Sequence, residues 1–151
     1  QELPRKVQNV EVLDLDGKPV KLPYFGEKNL MIFYVDPDRH KQNEDFTIEL
    51  EQNHRAESDN IYGFGVMNLK DAPMVPNGMA RNMAKKRTAK NGATVLADQN
   101  RILSTAWALG DCNNQFVLMI VSKEGELVFL RKGELSDADK EAFYETIEKY
   151  K

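Results

Sequence analysis

The sequence predicts an α/β fold in which a mixed central sheet is flanked by helices on both faces and preceded by an N-terminal hairpin. Three observations point there. A hairpin pattern opens the chain, apolar strand-like runs alternate with helical segments through its middle, and a second hairpin followed by an amphipathic helix closes it. A length of 151 residues suits a single domain spanning 1–151. A core of that size needs no disulfide or metal to hold it. No repeat, low-complexity tract or interdomain linker divides it.

Residues 10–15 alternate apolar and polar, Asp16-Gly17 supplies a tight turn, and residues 18–22 return as the second arm of a hairpin. Asn29-Leu30-Met31-Ile32-Phe33-Tyr34-Val35 is a continuous apolar run, as in a central strand buried on both faces. Asp36-Pro37 stops that strand and starts a helix, with Asp36 as N-cap and Pro37 at the first helical position. This helix is expected to reach Asp59, with a thin apolar face of Phe46, Ile48 and Leu50. Residues 61–67 form a second apolar strand, and residues 68–77, with Pro73 and Pro76, a long loop.

Residues 78–90 read as a helix with Met79 and Met83 on one side. A third strand over 93–96 ends at Asp98-Gln99-Asn100. A short helix over 102–109 has Gly110 placed as its C-terminal cap and Trp107 as a core anchor. Residues 116–121 and 126–130 pair through Lys123-Glu124-Gly125. Ser136 caps the last helix with Asp139 as capping-box partner, and Phe143, Ile147 and Tyr150 form its buried stripe.

Composition excludes several function classes. The chain is 41% hydrophobic and 30% charged, with a net charge of -3, so it has no global attraction for nucleic acid or acidic lipid. No apolar run approaches the roughly 20 residues that cross a bilayer. Cys112 is the only cysteine, so it forms no intramolecular disulfide and by itself no thiolate metal cage. Gln1 at the start is what a removed signal peptide would leave, and equally what a trimmed boundary would leave.

Three stretches resemble the thioredoxin fold as peroxiredoxins elaborate it. They are Val12-Leu13-Asp14-Leu15-Asp16-Gly17-Lys18-Pro19-Val20, then Leu96-Ala97-Asp98-Gln99-Asn100 with Ala106-Trp107-Ala108-Leu109, and then Ile120-Val121-Ser122-Lys123-Glu124-Gly125-Glu126-Leu127-Val128. Asn68-Leu69-Lys70-Asp71-Ala72 with Pro76, the same Ala106-Trp107-Ala108-Leu109, and Lys132-Gly133-Glu134-Leu135 narrow the likeness to the YtfJ-like family, a bacterial group expected in the periplasm. The resemblance implies a thioredoxin-like fold and an extracytoplasmic location.

In redox-active members of that fold, the attacking cysteine follows the first long buried strand, where the start of a helix stabilises its thiolate. The two cysteine positions fall near Asp38 and Lys41, neither of which carries sulfur. The cis-proline that shapes the substrate turn falls at Phe116. Both departures argue against a thiol-disulfide oxidoreductase and for a non-redox binding or accessory protein. Its default contact surface, by analogy of fold, is the loop holding Asp36, Asp38, Arg39 and His40.

Cys112, in Gly110-Asp111-Cys112-Asn113-Asn114, is the nucleophile of the competing reading, a single-thiol peroxidase or reductase. Asp111 beside it would raise its pKa, and an incidental loop thiol explains it more simply. Asp36 and Asp38 after an apolar strand also resemble the two aspartates of Mg-dependent haloacid-dehalogenase-type phosphatases, but Arg39-His40 follows where a small hydroxyl residue belongs. As metal ligands Asp36, Asp38 and His40 would need the distant His54, and a solvated loop is the simpler reading. No metal or cofactor is expected.

Arg81, Lys85, Lys86, Arg87 and Lys90 form a basic stretch that would suit an anionic partner, against a plain solvated helix face. It lacks the interleaved aromatics that stack bases, so nucleic acid is not expected. The expected partner is an envelope protein or a small ligand.

Overall fold

The computed structural model describes residues 3–39, 41–69, 77–91 and 94–151. Its strands are β1 (Arg5–Lys6), β2 (Glu11–Leu13), β3 (Pro19–Lys21), β4 (Asn29–Val35), β5 (Ile61–Asn68), β6 (Val95–Asp98), β7 (Phe116–Val121) and β8 (Glu126–Lys132). Its helices are α1 (Glu44–Asn53), α2 (Asn77–Asn91), α3 (Ile102–Ala106) and α4 (Asp137–Tyr150). The strands make one mixed eight-stranded sheet in the order β1-β8-β7-β4-β5-β6-β2-β3. Strand β4 is parallel to β5 and antiparallel to β7, and β5 is parallel to β6.

Period-two alternation along β4 divides the core. Leu30, Ile32 and Tyr34 enter one cluster with Phe64, Val66, Val117 and Met119, covered by Leu103 and Trp107 and by Val12 and Leu22 of the hairpin. Trp107 is 1% exposed and its Nε1 donates to the Gln8 carbonyl at 2.7 Å, so it is the core anchor expected. Met31, Phe33 and Val35 face the other way and are only half-buried. There Phe46 and Leu50 of α1 and Phe143 and Ile147 of α4 pack on Phe116, Leu118, Ile120 and Phe129. Helices thus cover both faces, as predicted, though β4 is less completely buried on its second face.

Several boundaries differ for local reasons. Asp14 begins the hairpin turn: its Oδ1 accepts the amides of Asp16 and Lys18, each at 2.9 Å, and Gly17 takes φ +83°. The chain after β4 does not enter a helix directly. Residues Pro37–Arg39 make a 3-10 turn, and α1 begins only at Glu44 behind Asn43, whose φ is 63°. It ends at Asn53, short of Asp59, and Ile48 is exposed rather than part of its apolar face.

On α2 the buried contact is Ala84, whereas Met79 and Met83 point to solvent at 56% and 55% exposure. Helix α3 stops at Ala106, and Ala108 at φ 53° makes the left-handed reversal expected of Gly110. The short edge strand β1 has no counterpart in the predicted elements. The Ser136–Asp139 capping box is present, and Phe143 and Ile147 are buried, while Tyr150 is half-exposed. Of the proline loop expected over 68–77, Asn68 belongs to β5 and Asn77 to α2, and residues 70–76 lie outside the described residues.

Candidate functional site

The mouth of the first crossover, where β4 ends and α1 begins, is braced by the protein's own polar side chains. Asp36 is fully buried; its Oδ1 accepts the Asp38 amide at 2.9 Å and its Oδ2 the Asn114 amide at 2.8 Å. Gln42 Oε1 accepts the Phe116 amide at 3.0 Å. Asn43 reaches the next loop in both senses, donating to the Gly133 carbonyl at 3.0 Å and accepting from the Leu135 amide at 2.8 Å. The Lys132-Gly133-Glu134-Leu135 stretch is therefore held against the start of α1.

The Phe116 contact shows what the missing proline changes. A proline there would have no N–H to give. Phe116 does, and Gln42 takes it. Among the described residues the one cis peptide is Leu3-Pro4, far from this mouth in sequence.

These contacts redistribute the predicted site residues. Asp36 is not part of an exposed contact loop; it is an internal brace between two loops, which corrects its assignment as a surface binding residue. A phosphoryl nucleophile or metal ligand needs an accessible oxygen, and both oxygens of Asp36 are turned to backbone amides. Asp38 is half-buried, and Arg39 and Lys41 are exposed, so the outward part of this loop is Asp38, Arg39 and Lys41. His40 lies outside the described residues.

His54 caps the far end of α1, and its Nδ1 lies 2.7 Å from Glu57 Oε2. A helix of ten residues separates the two ends by about 15 Å, so His54 does not join Asp36 and Asp38.

The basic stretch of α2 is used internally in part. Lys85 pairs with Asp16, and the Arg81 guanidinium lies against Gly17, both in the turn of the β2–β3 hairpin. The Lys85 ammonium holds the Asp16 carboxyl below its ordinary range. Of the proposed anion patch, Lys86 remains exposed with no such partner in the hairpin turn. The side chains of Arg87 and Lys90 lie outside the described residues.

Cys112 is not the exposed loop thiol its polar surroundings suggest. It is 3% exposed within the larger core cluster, and its Sγ lies 3.7 Å from the Gly110 carbonyl. Beside it the carboxyl ends of the parallel strands bury polar groups that strand periodicity does not reveal. The Tyr34 hydroxyl donates to Asp98 Oδ2 at 2.8 Å. Asp98 also accepts the amides of Ile102 and Leu103, both at 2.9 Å, and so fixes the start of α3. Asn68 Nδ2 donates to the Cys112 carbonyl at 3.4 Å. Burial, and then the adjacent Asp98 charge, push the Tyr34 phenol well above its ordinary range.

Over this end lies an open cleft of about 590 Å³ whose wall includes Arg101, Ser104, Thr105, Asp111, Cys112 and Asn113. Arg101 and Ala108, with φ 54° and 53°, stand on its border, and Asn114, with φ 55°, follows it. Backbone strain of this kind gathers where surrounding contacts over-determine a conformation. The lone aspartate ending the third strand, four residues before a helix, is the sequence signal for the Asp98 brace. Nothing in sequence marks the cleft.

In sequence, no family model and no curated protein matches the chain. In structure it is similar to the exposed lipoprotein thioredoxin of Streptococcus pneumoniae, with TM-score 0.61 and 19% identity over 94% of this chain and 99% of that one. It is similar also to the thioredoxin domain of a thiol-disulfide oxidoreductase from Bacteroides vulgatus, with TM-score 0.62 and 17% identity over 96% and 94%. A peroxiredoxin-like protein from Aquifex aeolicus gives TM-score 0.66 and 11% identity over 97% and 88%. At these identities the likeness speaks for the fold alone. The fold is that of thioredoxin.

Proposed function

We propose that this chain is a non-redox binding or accessory protein on a thioredoxin scaffold, working outside the cytoplasm. The observation that carries the reading is the sulfur-free, hydrogen-bonded mouth of α1. Positions 38 and 41 hold Asp38 and Lys41 instead of sulfur, and Gln42, Asn43 and Asp36 bind the surrounding loops by hydrogen bonds. A redox thiol needs the opposite: an accessible sulfur ionised by a helix N-terminus or a cation. The exposed Arg39 and Lys41, with Asp38, are the contact surface of this reading. The resemblance of residues 68–72, 106–109 and 132–135 to the YtfJ-like family, and the structural likeness to the exposed lipoprotein thioredoxin of Streptococcus pneumoniae, support an extracytoplasmic place. Among the described residues no helix is long and apolar enough to cross a membrane.

A second reading has one observation in its favour, the position of Cys112 on the wall of the strand-end cleft. A thiolate there would attack a peroxide oxygen, leaving a sulfenic acid and releasing water or an alcohol, and an external thiol would then restore it. Peroxide consumption with dithiothreitol as donor separates the readings. The binding-protein reading expects wild type and Cys112→Ser to match the protein-free rate. Turnover in wild type that disappears in Cys112→Ser would establish the thiol enzyme instead.

A further inference from the structure

We propose that the bare stretch of sheet between α1 and α2 is a binding groove for a small planar apolar molecule carrying a positive charge. Strand register pairs Met31 with Gly63, and Gly65 with Phe33 on one side and Val95 on the other, so these five residues share one face. On that face α1 packs through Phe46 and Leu50, and α2 packs through Ala84 against Met67 and Ala97. Between the two helices Gly63 is exposed, although β5 lies inside the sheet. The groove there, walled among the described residues by Leu50 and Glu51 of α1 and by residues 56–58, encloses about 780 Å³. That lies within the range of small-molecule sites, roughly 300–1,000 Å³.

Neither glycine is needed by the fold. Both have backbone angles open to any residue. A Cβ at Gly65 would meet nothing nearer than Val95 Cγ2 at 3.6 Å, an ordinary contact. At Gly63 it would meet Met31 Cε at 2.8 Å, the movable end of a flexible side chain. Glycine weakens the interior of a strand and often marks close approach by a ligand or another backbone. Two at alternate positions, Gly65 with room for a side chain and Gly63 overlain only by the movable end of Met31, leave a low floor suited to a ring.

Charge selects the occupant. The groove is lined by Glu51 and Glu57, and no lysine or arginine is among its described lining residues. Glu57 already meets His54, so exposed Glu51 is the principal acidic contact. The half-buried ring of Phe33 adds a second attraction for a cation. An anionic ring of the same size would meet only repulsion at this rim.

The test uses naphthylmethylammonium and naphthylacetate, one ring system with opposite charges, titrated into nitrogen-15-labelled protein. The cation is expected to shift the amides of Gly63, Gly65 and Val95 and to bind about fivefold more tightly than the anion, a preference that shrinks in Glu51→Gln and in high salt. Gly65→Val is expected to abolish those shifts while raising Tm. Should that variant fail to fold, Gly65→Ala, whose methyl has room, is expected to weaken the cation several-fold. Equal binding of the two probes, absence of shifts in the groove, or indifference to both Gly65 substitutions overturns the proposal. Self-association that protects the groove amides does so too, by making a second copy the occupant. Shifts confined to Arg39 and Lys41 would support the contact surface of the proposed function and refute this groove.

Discussion

Tyr34 occupies a place in β4 that an apolar residue could fill, yet its hydroxyl is tied to the equally buried Asp98. Ionising it would put a second negative charge beside a carboxylate away from water, which is why its pKa is raised. The sign follows from linkage. A phenol whose folded pKa lies above its unfolded value of about 10 contributes stability that is complete below pH 10 and is lost as pH rises through the folded value. Absorbance titration of the five tyrosines is therefore expected to leave Tyr34 un-ionised until the protein unfolds in alkali. A reversible titration of all five near pH 10 would contradict this. Tyr34→Phe is expected to cost about 1 kcal/mol at neutral pH, measured by urea unfolding, since one hydrogen bond to Asp98 is lost.

Helix α4 shows the same coupling at the level of an element. The backbone amide of Ser136, then its hydroxyl, then Arg131 hold the Asp139 carboxyl below its ordinary range. A depressed carboxylate contributes stability above its unfolded value, about 4, and that stability is lost as pH falls through the folded value. Wild type is accordingly expected to lose stability below about pH 4, and Asp139→Asn to give a flatter acid limb and a less stable protein at neutral pH. Urea midpoints between pH 2 and pH 7 check it, and identical acid limbs would refute it. This cap was legible in sequence because its two partners lie three residues apart. The start of α1 was not. Asp36-Pro37 does start and cap a helix, but only the 3-10 turn, through the Asp38 amide; the other oxygen of Asp36 bonds to Asn114, 78 residues away, and no local pattern encodes that. The same reason hid the inward use of Lys85, whose partner Asp16 lies in a different element.

For the whole molecule, the alternation of strands and helices carried the architecture correctly, because apolar periodicity reports which elements need covering. It could not report which loops meet at the ends of the sheet. Cys112 shows the difference: its neighbours in sequence are polar, but its neighbours in space belong to the core. A thiol so enclosed is expected to react with dithionitrobenzoate slowly in native protein and at a rate that rises with urea alongside unfolding. Complete labelling within seconds under native conditions would show that the sulfur is accessible after all. The groove floored by Gly63 and Gly65 is missed when residues 61–67 are read only as an apolar strand, although glycines inside such a strand can signal close approach. Its acidic rim comes from another element and was not legible.

The outermost strands have a consequence for how copies of the protein meet. One border of the sheet is Arg5–Lys6, and the other is Pro19–Lys21 with Lys18 just before it. A flat, apolar border would recruit a neighbour's strand and seed a fibril. Here a join through either terminal strand sets cation against cation, and on one side Pro19 withholds a main-chain donor. Meetings of two copies through these terminal strands are therefore opposed by charge before any main-chain bond can form.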